Sequence, residues 1–600
     1  MWADLGGDGG WDDILSREGV HQGCTFGSLL ASLALHPILQ EVAASMPEGI
    51  IGAYRYIDDV KICAPAHIAR AAYRLLVVRA KRALNLVEAP AKGSVMWEGE
   101  GEPNLRGLPR TMPGVTSRIT HDRHLGVFVG DARAESVAAV KAALQAKLTD
   151  KAGLIARLAI LTDPQVKMQL LRCCATARPG FWLRTMAPSL TEEAAVGFDA
   201  EVRQACSHIL DDPISDVTWS LITMPLSLGG LGLTSAVTTR HAAHYGSWAA
   251  SWAHIHNTFS LPHVDLSACP APFAVGLRAA HARVEAAHTA VADNINGHPL
   301  PHVAQSIRSV PEPSDLSVAY PHAQKRFAAV VSSARWLDAY HVATVPHRAV
   351  MLSAAQQGAM FAGSAVPNPH TGHAILPMHY VTYMQLHLRL PLSVLRGVTR
   401  CTCGAQLDVF GDHVLSCSKF QQLRTPWHDL VQDTVASMVR CANFHVSVDA
   451  RRDRAISRAY SPNWRPDLTL LHGSEQGSHV IIDVTTTSVV AQTCLPGSAR
   501  HALLASDGSA VSKRGVYGNV APHEMLPFVV ESAGALGKEA MKLFQRCRKR
   551  AENQLSPQLD EVSTWSARGF SNYFLASFSV ATAKGLGHLY MAAACTLRAH

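Results

Sequence analysis

The stretch NWRPDLTLLHGSEQGSHVIIDVTTTSVV, residues 463–490, sets the tightest limits on what this chain can fold into. Leu468 to Leu471 read as a strand, HGSEQGS as a polar turn, and Val480 to Val484 as a second strand. Two short apolar runs around a polar turn predict a β-hairpin. Asp467 stands at the mouth of the first strand and Asp483 near the end of the second. A carboxylate inside VIIDV is costly to bury unless a cation or hydrogen-bond donors meet it. One reading is a capped strand end. The other is chemical: one acid on each arm can hold a metal ion and set water against a phosphodiester. A lysine nearby then orients the nucleophile or offsets developing charge.

A chain of 600 residues can bury several cores, about three to five domains. Hydrophobic residues make up 48% and charged residues 17%, which excludes a disordered composition. The opening MWADLGGDGGWDDIL is acidic and Gly-rich, with no signal-peptide pattern. No apolar run reaches the roughly 18 residues of a membrane span, so no membrane partner is expected. Thirteen cysteines without regular spacing suit reduced thiols in a cytosolic or nuclear protein, with some available to a metal. A net charge of +7 permits nucleic acid as a partner. Basic residues cluster at 449–458 and 538–550, as solvated helix faces or as phosphate contacts.

Along the chain, 19–40 read as a Gly-containing turn feeding a helix that Pro37 interrupts near its end. Residues 50–64 read as two strands with Asp58 and Asp59 at the turn. A helix over 66–88 and a strand and turn in HLGVFVGD follow, then helices from 133 to about 292, broken by three glycines in MPLSLGGLGLTSA. The Pro-rich, polar stretch 296–317 reads as a linker. Histidines are frequent over 241–302, without one repeated ligand geometry, and read as surface helix residues.

Two further clusters can bind metal. Adjacent carboxylates such as Asp58 and Asp59 repel unless a cation holds them, and magnesium is the usual solution. The alternative is an exposed turn. CTCGAQLDVFGDHVLSC places Cys401, Cys403, His413 and Cys417 within seventeen residues, a ligand set that tetrahedral zinc accepts. The alternative is packed, reduced cysteines and a surface histidine. Asp408 and Asp412 read as solvated.

The motifs also carry a resemblance. REGVHQGCTFGSLLASLALHPILQ, YIDDV, NLVEAPAKG and HLGVFVG, in this order, resemble the palm of reverse transcriptases from non-LTR retrotransposons. The resemblance implies that Gly19, Gln22 and Gly23 belong to the loop under the templating base. It implies that Asp58 and Asp59 bind magnesium, that Lys92 lies near the incoming nucleotide, and that Leu125-Gly126 grips the primer. The family's palm has another aspartate on an earlier strand. Asp4, Asp8, Asp12 and Asp13 precede Gly19, but the stretch reads as too Gly-rich for a strand, so templated synthesis is not expected. Residues 463–490 resemble the PD-(D/E)xK restriction-enzyme-like endonucleases of site-specific non-LTR elements. Pro466-Asp467 match PD and Asp483 matches the second acid. Position 485 is Thr, so the resemblance moves the catalytic lysine to Lys513, in a Lys-x-x-x-Tyr spacing with Tyr517. Asp449 weakly matches an earlier acid, and Glu531 lies in a family-like segment.

The implied layout is an α+β multidomain chain. It comprises a partial palm (1–135), a helical thumb and connector (136–292), a linker (293–318) and a helical middle region (319–398). A Cys/His zinc knuckle (399–420), a restriction-endonuclease-like domain (421–550) and a helical extension (551–600) complete it. The resemblance implies an RNA-directed DNA polymerase, incomplete here, and an endonuclease that nicks target DNA. It further implies Mg2+ or Mn2+, Zn2+, an RNA template, target DNA and a nuclear location. The alternative is a catalytically dead nucleic-acid-binding remnant.

Overall fold

The computed structural model describes residues 2–4, 11–13, 27–46, 52–56, 59–97, 103–148, 153–258, 265–294, 297, 299–300, 309–316, 318–448, 466–471, 473, 478–518, 523–552 and 569–599. The chain is mixed α and β and divides into two compact units, Met1–Ala142 and Ala143–His600.

Among its described residues the first unit holds three hairpins, two helices and the first part of a third. β1 (Trp2–Asp4) pairs antiparallel with β2 (Trp11–Asp13). The expectation that this stretch is too Gly-rich for a strand therefore fails. Its glycines, Gly6, Gly7, Gly9 and Gly10, all fall between the strands and leave Trp, Ala and Asp to pair. α1 (Gly27–Ala44) runs through Pro37. Proline forfeits one backbone hydrogen bond, and burial of Leu35, Ile38 and Val42 offsets it. β3 (Gly52–Tyr56) and β4 (Asp59–Cys63) form the expected hairpin, with Tyr56 opposite Asp59. α2 (Ala66–Leu84) follows, tied to α1 by the Arg79–Glu41 ion pair at 2.6 Å. β5 (His121–His124) and β6 (Val127–Gly130) are joined by Leu125 and Gly126, both at positive φ. Two left-handed residues match the twist of a two-residue hairpin, and a leucine there is uncommon. Among the described residues the three hairpins form separate sheets.

The second unit begins within α3 (Ala134–Leu148) and is largely helical. After several short helices, the longer ones begin with α4 (Pro188–Leu210), α5 (Ala236–Thr258), α6 (Pro272–Ala292) and α7 (Ala323–Val342). Tyr245, Trp252, Leu277, Val284 and Phe327 share one core, with Tyr245 stacked on Phe327 at 5.4 Å. Val310 and Leu316 are buried in that same core, and the Tyr245 hydroxyl donates to the Pro311 carbonyl. The described part of the expected linker thus belongs to the core: its prolines mark turns, while its few apolar side chains find a pocket. His244 and His281 are buried too, against the surface reading of this histidine run.

α8 (Val345–Ala354) and α9 (Pro377–Leu388) lead to the Cys/His segment and α10 (Thr425–Cys441). Four strands follow: β7 (His445–Val448), β8 (Leu468–Leu471), β9 (Val480–Thr487) and β10 (Glu524–Glu531), in sheet order β10-β9-β8-β7. β8 and β9 are the antiparallel hairpin expected above, with β9 running on to Thr487. β9 and β10 are parallel, which requires a crossover; α11 (Leu504–Tyr517) supplies it. α12 (Lys538–Glu552) follows.

α13 (Gly569–Arg598) is the largest departure from expectation. It is no extension: it is buried on nearly every side and packs on α9 and α10. Gly585 lies against the Trp427 backbone and Gly587 against His379, at distances where any Cβ would collide. Among the described residues no helix is long and apolar enough to cross a membrane.

Candidate functional site

The site at the sheet follows from strand register. β8 pairs Leu468 with Ile482 and Thr469 with Ile481. One further step sets Asp467 opposite Asp483, and directly opposed residues of antiparallel strands share a face, with Cβ atoms about 4.5–5.5 Å apart. Asp483 is 6% exposed. Its two donors both come from α11, four residues apart and hence on one helix face. Lys513 Nζ lies 2.8 Å from Oδ1, and the Tyr517 hydroxyl donates to Oδ2 at 2.7 Å. The crossover that makes β9 and β10 parallel is what brings these donors over the strand.

Asp467 is held by other means. Its Oδ2 accepts the Val484 N–H at 2.7 Å, and His428 Nε2 on α10 lies 3.3 Å away. Gln432, one helical turn on, donates to the Asp467 carbonyl at 3.2 Å. The hydrogen bond to Asp467 is the largest influence on His428 and raises its pKa to about 9, against the effect of burial. Asp467 thus favours the cationic form of the imidazole, which lies on the Asp467 side as Lys513 lies on the Asp483 side. Burial and the Asp483 bond push the Tyr517 phenol well above its usual range, so it remains a donor. Asp467 Oδ1 has no hydrogen-bond partner among the described residues, and a carboxylate oxygen offers about two acceptor sites. This donor set fits a hard divalent cation that keeps some of its waters.

Glu531, at the end of β10, is 1% exposed. It accepts the Ser353 hydroxyl at 2.6 Å and the Ser506 N–H in the first turn of α11 at 3.0 Å. Burial raises its pKa. It anchors the helix that carries Lys513 and does not itself reach Asp483.

The Cys/His segment converges as its spacing predicted. One ligand atom from each of Cys401, Cys403, His413 and Cys417 lies within 4.8 Å of all the others. Cys401 Sγ and Cys417 Sγ are 3.7 Å apart, and Cys403 Sγ is 3.2 Å from His413 Nε2. Gly404, at φ +91°, turns the chain so that the Cys401 N–H reaches the Ala405 carbonyl at 2.9 Å. The Ala405 backbone, foremost, lowers the Cys403 thiol to about 6, which favours thiolate. The cluster could hold zinc. Asp412 and Asp408 are not simply solvated. Asp412 pairs with Arg389 through both oxygens at 2.5 and 2.8 Å, and Asp408 accepts the N–H groups of Phe410 and Asp412.

The remaining sequence candidates are less fully placed. Gly19, Gln22, Gly23, Asp58, Asp449 and the basic run 449–458 lie outside the described residues. Asp59 opens β4, and Lys92 is exposed in a short turn at 90–92. In the basic run at 538–550, Lys538 pairs with Asp507, Lys542 with Glu539 and Arg546 with Glu524. Sequence reasoning missed His428, which no local motif marks. Its one trace is the His428/Gln432 spacing on a strongly amphipathic helix.

No protein-family model matches the chain. Over 236 residues, 38% of the chain, it is 26% identical to the retrotransposable element SLACS 132 kDa protein of Trypanosoma brucei gambiense. The match spans 18% of that protein's length, less than a fifth. This similarity supports a retrotransposon-derived protein.

Proposed function

We propose that the sheet of the second unit is a metal-dependent endonuclease that hydrolyses phosphodiester bonds in DNA. The observation that carries this reading is the convergence of Lys513 on Asp483, with Asp467 held beside it by the Val484 N–H. Asp467 and Asp483 would hold Mg2+ or Mn2+, which when bound supplies an activated water and charge stabilisation at phosphorus. Lys513 is half-exposed and faces the same edge, where its ammonium offsets charge on the phosphate oxygens. Tyr517 fixes the rotation of the Asp483 carboxylate, and His428 with Val484 N–H fixes that of Asp467. Hydrolysis in which the 3′ oxygen leaves gives a 3′ hydroxyl, the end a polymerase extends.

The first unit we read as a remnant of a reverse-transcriptase palm around Asp58 and Asp59, with Gln22, Gly23 and Lys92 toward template and nucleotide. Its hairpins share no sheet among the described residues, which favours absence of templated synthesis. RNA and target DNA are the proposed partners, and the Cys/His cluster a structural zinc knuckle.

One observation favours a second reading, a nucleic-acid-binding protein without catalysis: both Asp483 oxygens already carry protein donors. The same experiment separates the two. Supercoiled plasmid is incubated with the chain and Mg2+ or Mn2+, beside Asp483→Ala. Nicking lost in the variant is the expected result; equal nicking by both, or none by either, refutes the nuclease. Primer extension on an RNA template tests the palm, and synthesis would overturn that part.

A further inference from the structure

A cavity of about 610 Å3 opens between α5, α7 and the loop that carries Gly232. Lys325, Ser332 and Arg335 reach it from one face of α7, and Thr238 and Thr239 from the first turn of α5. Among the described residues, no aspartate or glutamate lines it. Arg335 is half-buried, and among the described residues its guanidinium bonds only to neutral oxygens. These are Thr223 Oγ1 at 2.9 Å, Ser220 Oγ at 3.2 Å, the Ser220 carbonyl at 3.3 Å and Thr238 Oγ1 at 3.5 Å.

The acid that acts on Arg335 through space is Asp199, but its oxygens are spent elsewhere. They accept the Ser235 hydroxyl at 2.6 Å and the N–H groups of Ala236 and Val237 at 2.8 and 3.2 Å, capping α5. Burial accordingly lowers the Arg335 pKa. A cation withdrawn from water with no carboxylate in contact is costly. An anion entering the cavity relieves that cost. Lys325 is exposed at the same wall and makes no ion pair among the described residues. A guanidinium, an ammonium and hydroxyls arriving from two helices suit a tetrahedral oxyanion better than a planar carboxylate.

We propose that this cavity binds a phosphate of a nucleic-acid backbone. Phosphate contacts of this kind position a strand without reading its sequence. The site shares no residue with the Asp467–Asp483 edge, so the inference stands or falls apart from the nuclease reading. The chemistry is shared by free phosphate, and the test separates the two sources.

The full chain is titrated against a labelled single-stranded oligonucleotide by fluorescence anisotropy over about 50–200 mM salt. Wild type is compared with Lys325→Gln, Thr239→Val and Lys147→Gln. Lys147 is an exposed residue that does not line the cavity and controls for lost charge. The expected result for Lys325→Gln is weaker binding and a salt slope smaller by about one, with Lys147→Gln unchanged. Thr239→Val removes a neutral donor. It should weaken binding about two- to tenfold and leave the slope intact. Equal losses in Lys325→Gln and Lys147→Gln, or no loss in Lys325→Gln and Thr239→Val, would overturn the assignment. So would calorimetric binding of inorganic phosphate that Lys325→Gln weakens while oligonucleotide affinity stays unchanged.

Discussion

A methyl group at Gly585 is the most direct test of how the second unit is built. Gly585 is in the middle of α13, where alanine is the better helix former by about 1 kcal/mol. On propensity alone Gly585→Ala stabilises. The structure predicts the reverse. The new Cβ would lie 2.5 Å from Trp427 Cβ, 2.6 Å from Trp427 Cα and 2.7 Å from Trp427 Cδ1. Ordinary carbon contacts are about 3.5–4.0 Å, so α13 and α10 must part by about 1 Å. Trp427 is 2% exposed and cannot swing into solvent. Overpacking of this kind costs typically about 1–3 kcal/mol, and contact with backbone argues for the upper end. After the gain in propensity, a net loss of about 2 kcal/mol remains. In a unit this large the melting temperature should fall by roughly 2–4 °C, by size scaling. Gly508 in α11 is the control, because its Cβ would meet nothing within 4 Å. Gly508→Ala should gain about 1 kcal/mol and melt slightly higher. The assay is thermal unfolding followed by circular dichroism, with proteolysis of α13 as a local readout. A Gly585→Ala chain that melts with or above wild type would refute the packing argument.

Three further outcomes follow from the site and the buried histidines. Lys513→Met should lower plasmid nicking by roughly two to three orders of magnitude while the Mg2+ requirement stays, since the loss is electrostatic; retained activity would remove Lys513 from the mechanism. Chelation should release about one zinc per chain, measured by plasma emission, and Cys417→Ser should purify with less metal; an equal content in both excludes the cluster as the ligand set. His244, His347, His373 and His387 are each lowered to about 4, first by burial. Their unfolded-state value is about 6.5, so the unfolded chain takes up protons first as pH falls. Stability should therefore drop between about pH 6.5 and 4, each group adding up to roughly 1.4 kcal/mol per pH unit. His244→Phe should flatten that slope, and a curve identical to wild type would show that His244 is not buried neutral.

What could be read from the sequence was local. The β8–β9 hairpin was legible because two apolar runs flank a polar turn. Lys513 and Tyr517 were picked out by the family resemblance alone; their four-residue spacing adds only that both share one helix face. His428 was not, because it comes from a separate helix, and only the packing of α10 decides that it meets Asp467. The N-terminal strands were missed because the glycines were averaged over a window, when in the sequence all four lie between the two strand segments. The Pro-rich 293–318 stretch signalled turns but could not show that Val310 and Leu316 have a core to enter. α13 was misjudged from its place in the chain. A helix apolar on every side belongs inside a fold.

That helix also orders events in time. Ribosomes make α9 and α10 long before α13, so their apolar faces wait, uncovered, while the whole β-sheet region is synthesised. Unit two is therefore a late-closing fold that depends on avoiding aggregation during translation. A chain interrupted just before Gly569 lacks the helix that covers α9 and α10 and leaves that core unsealed.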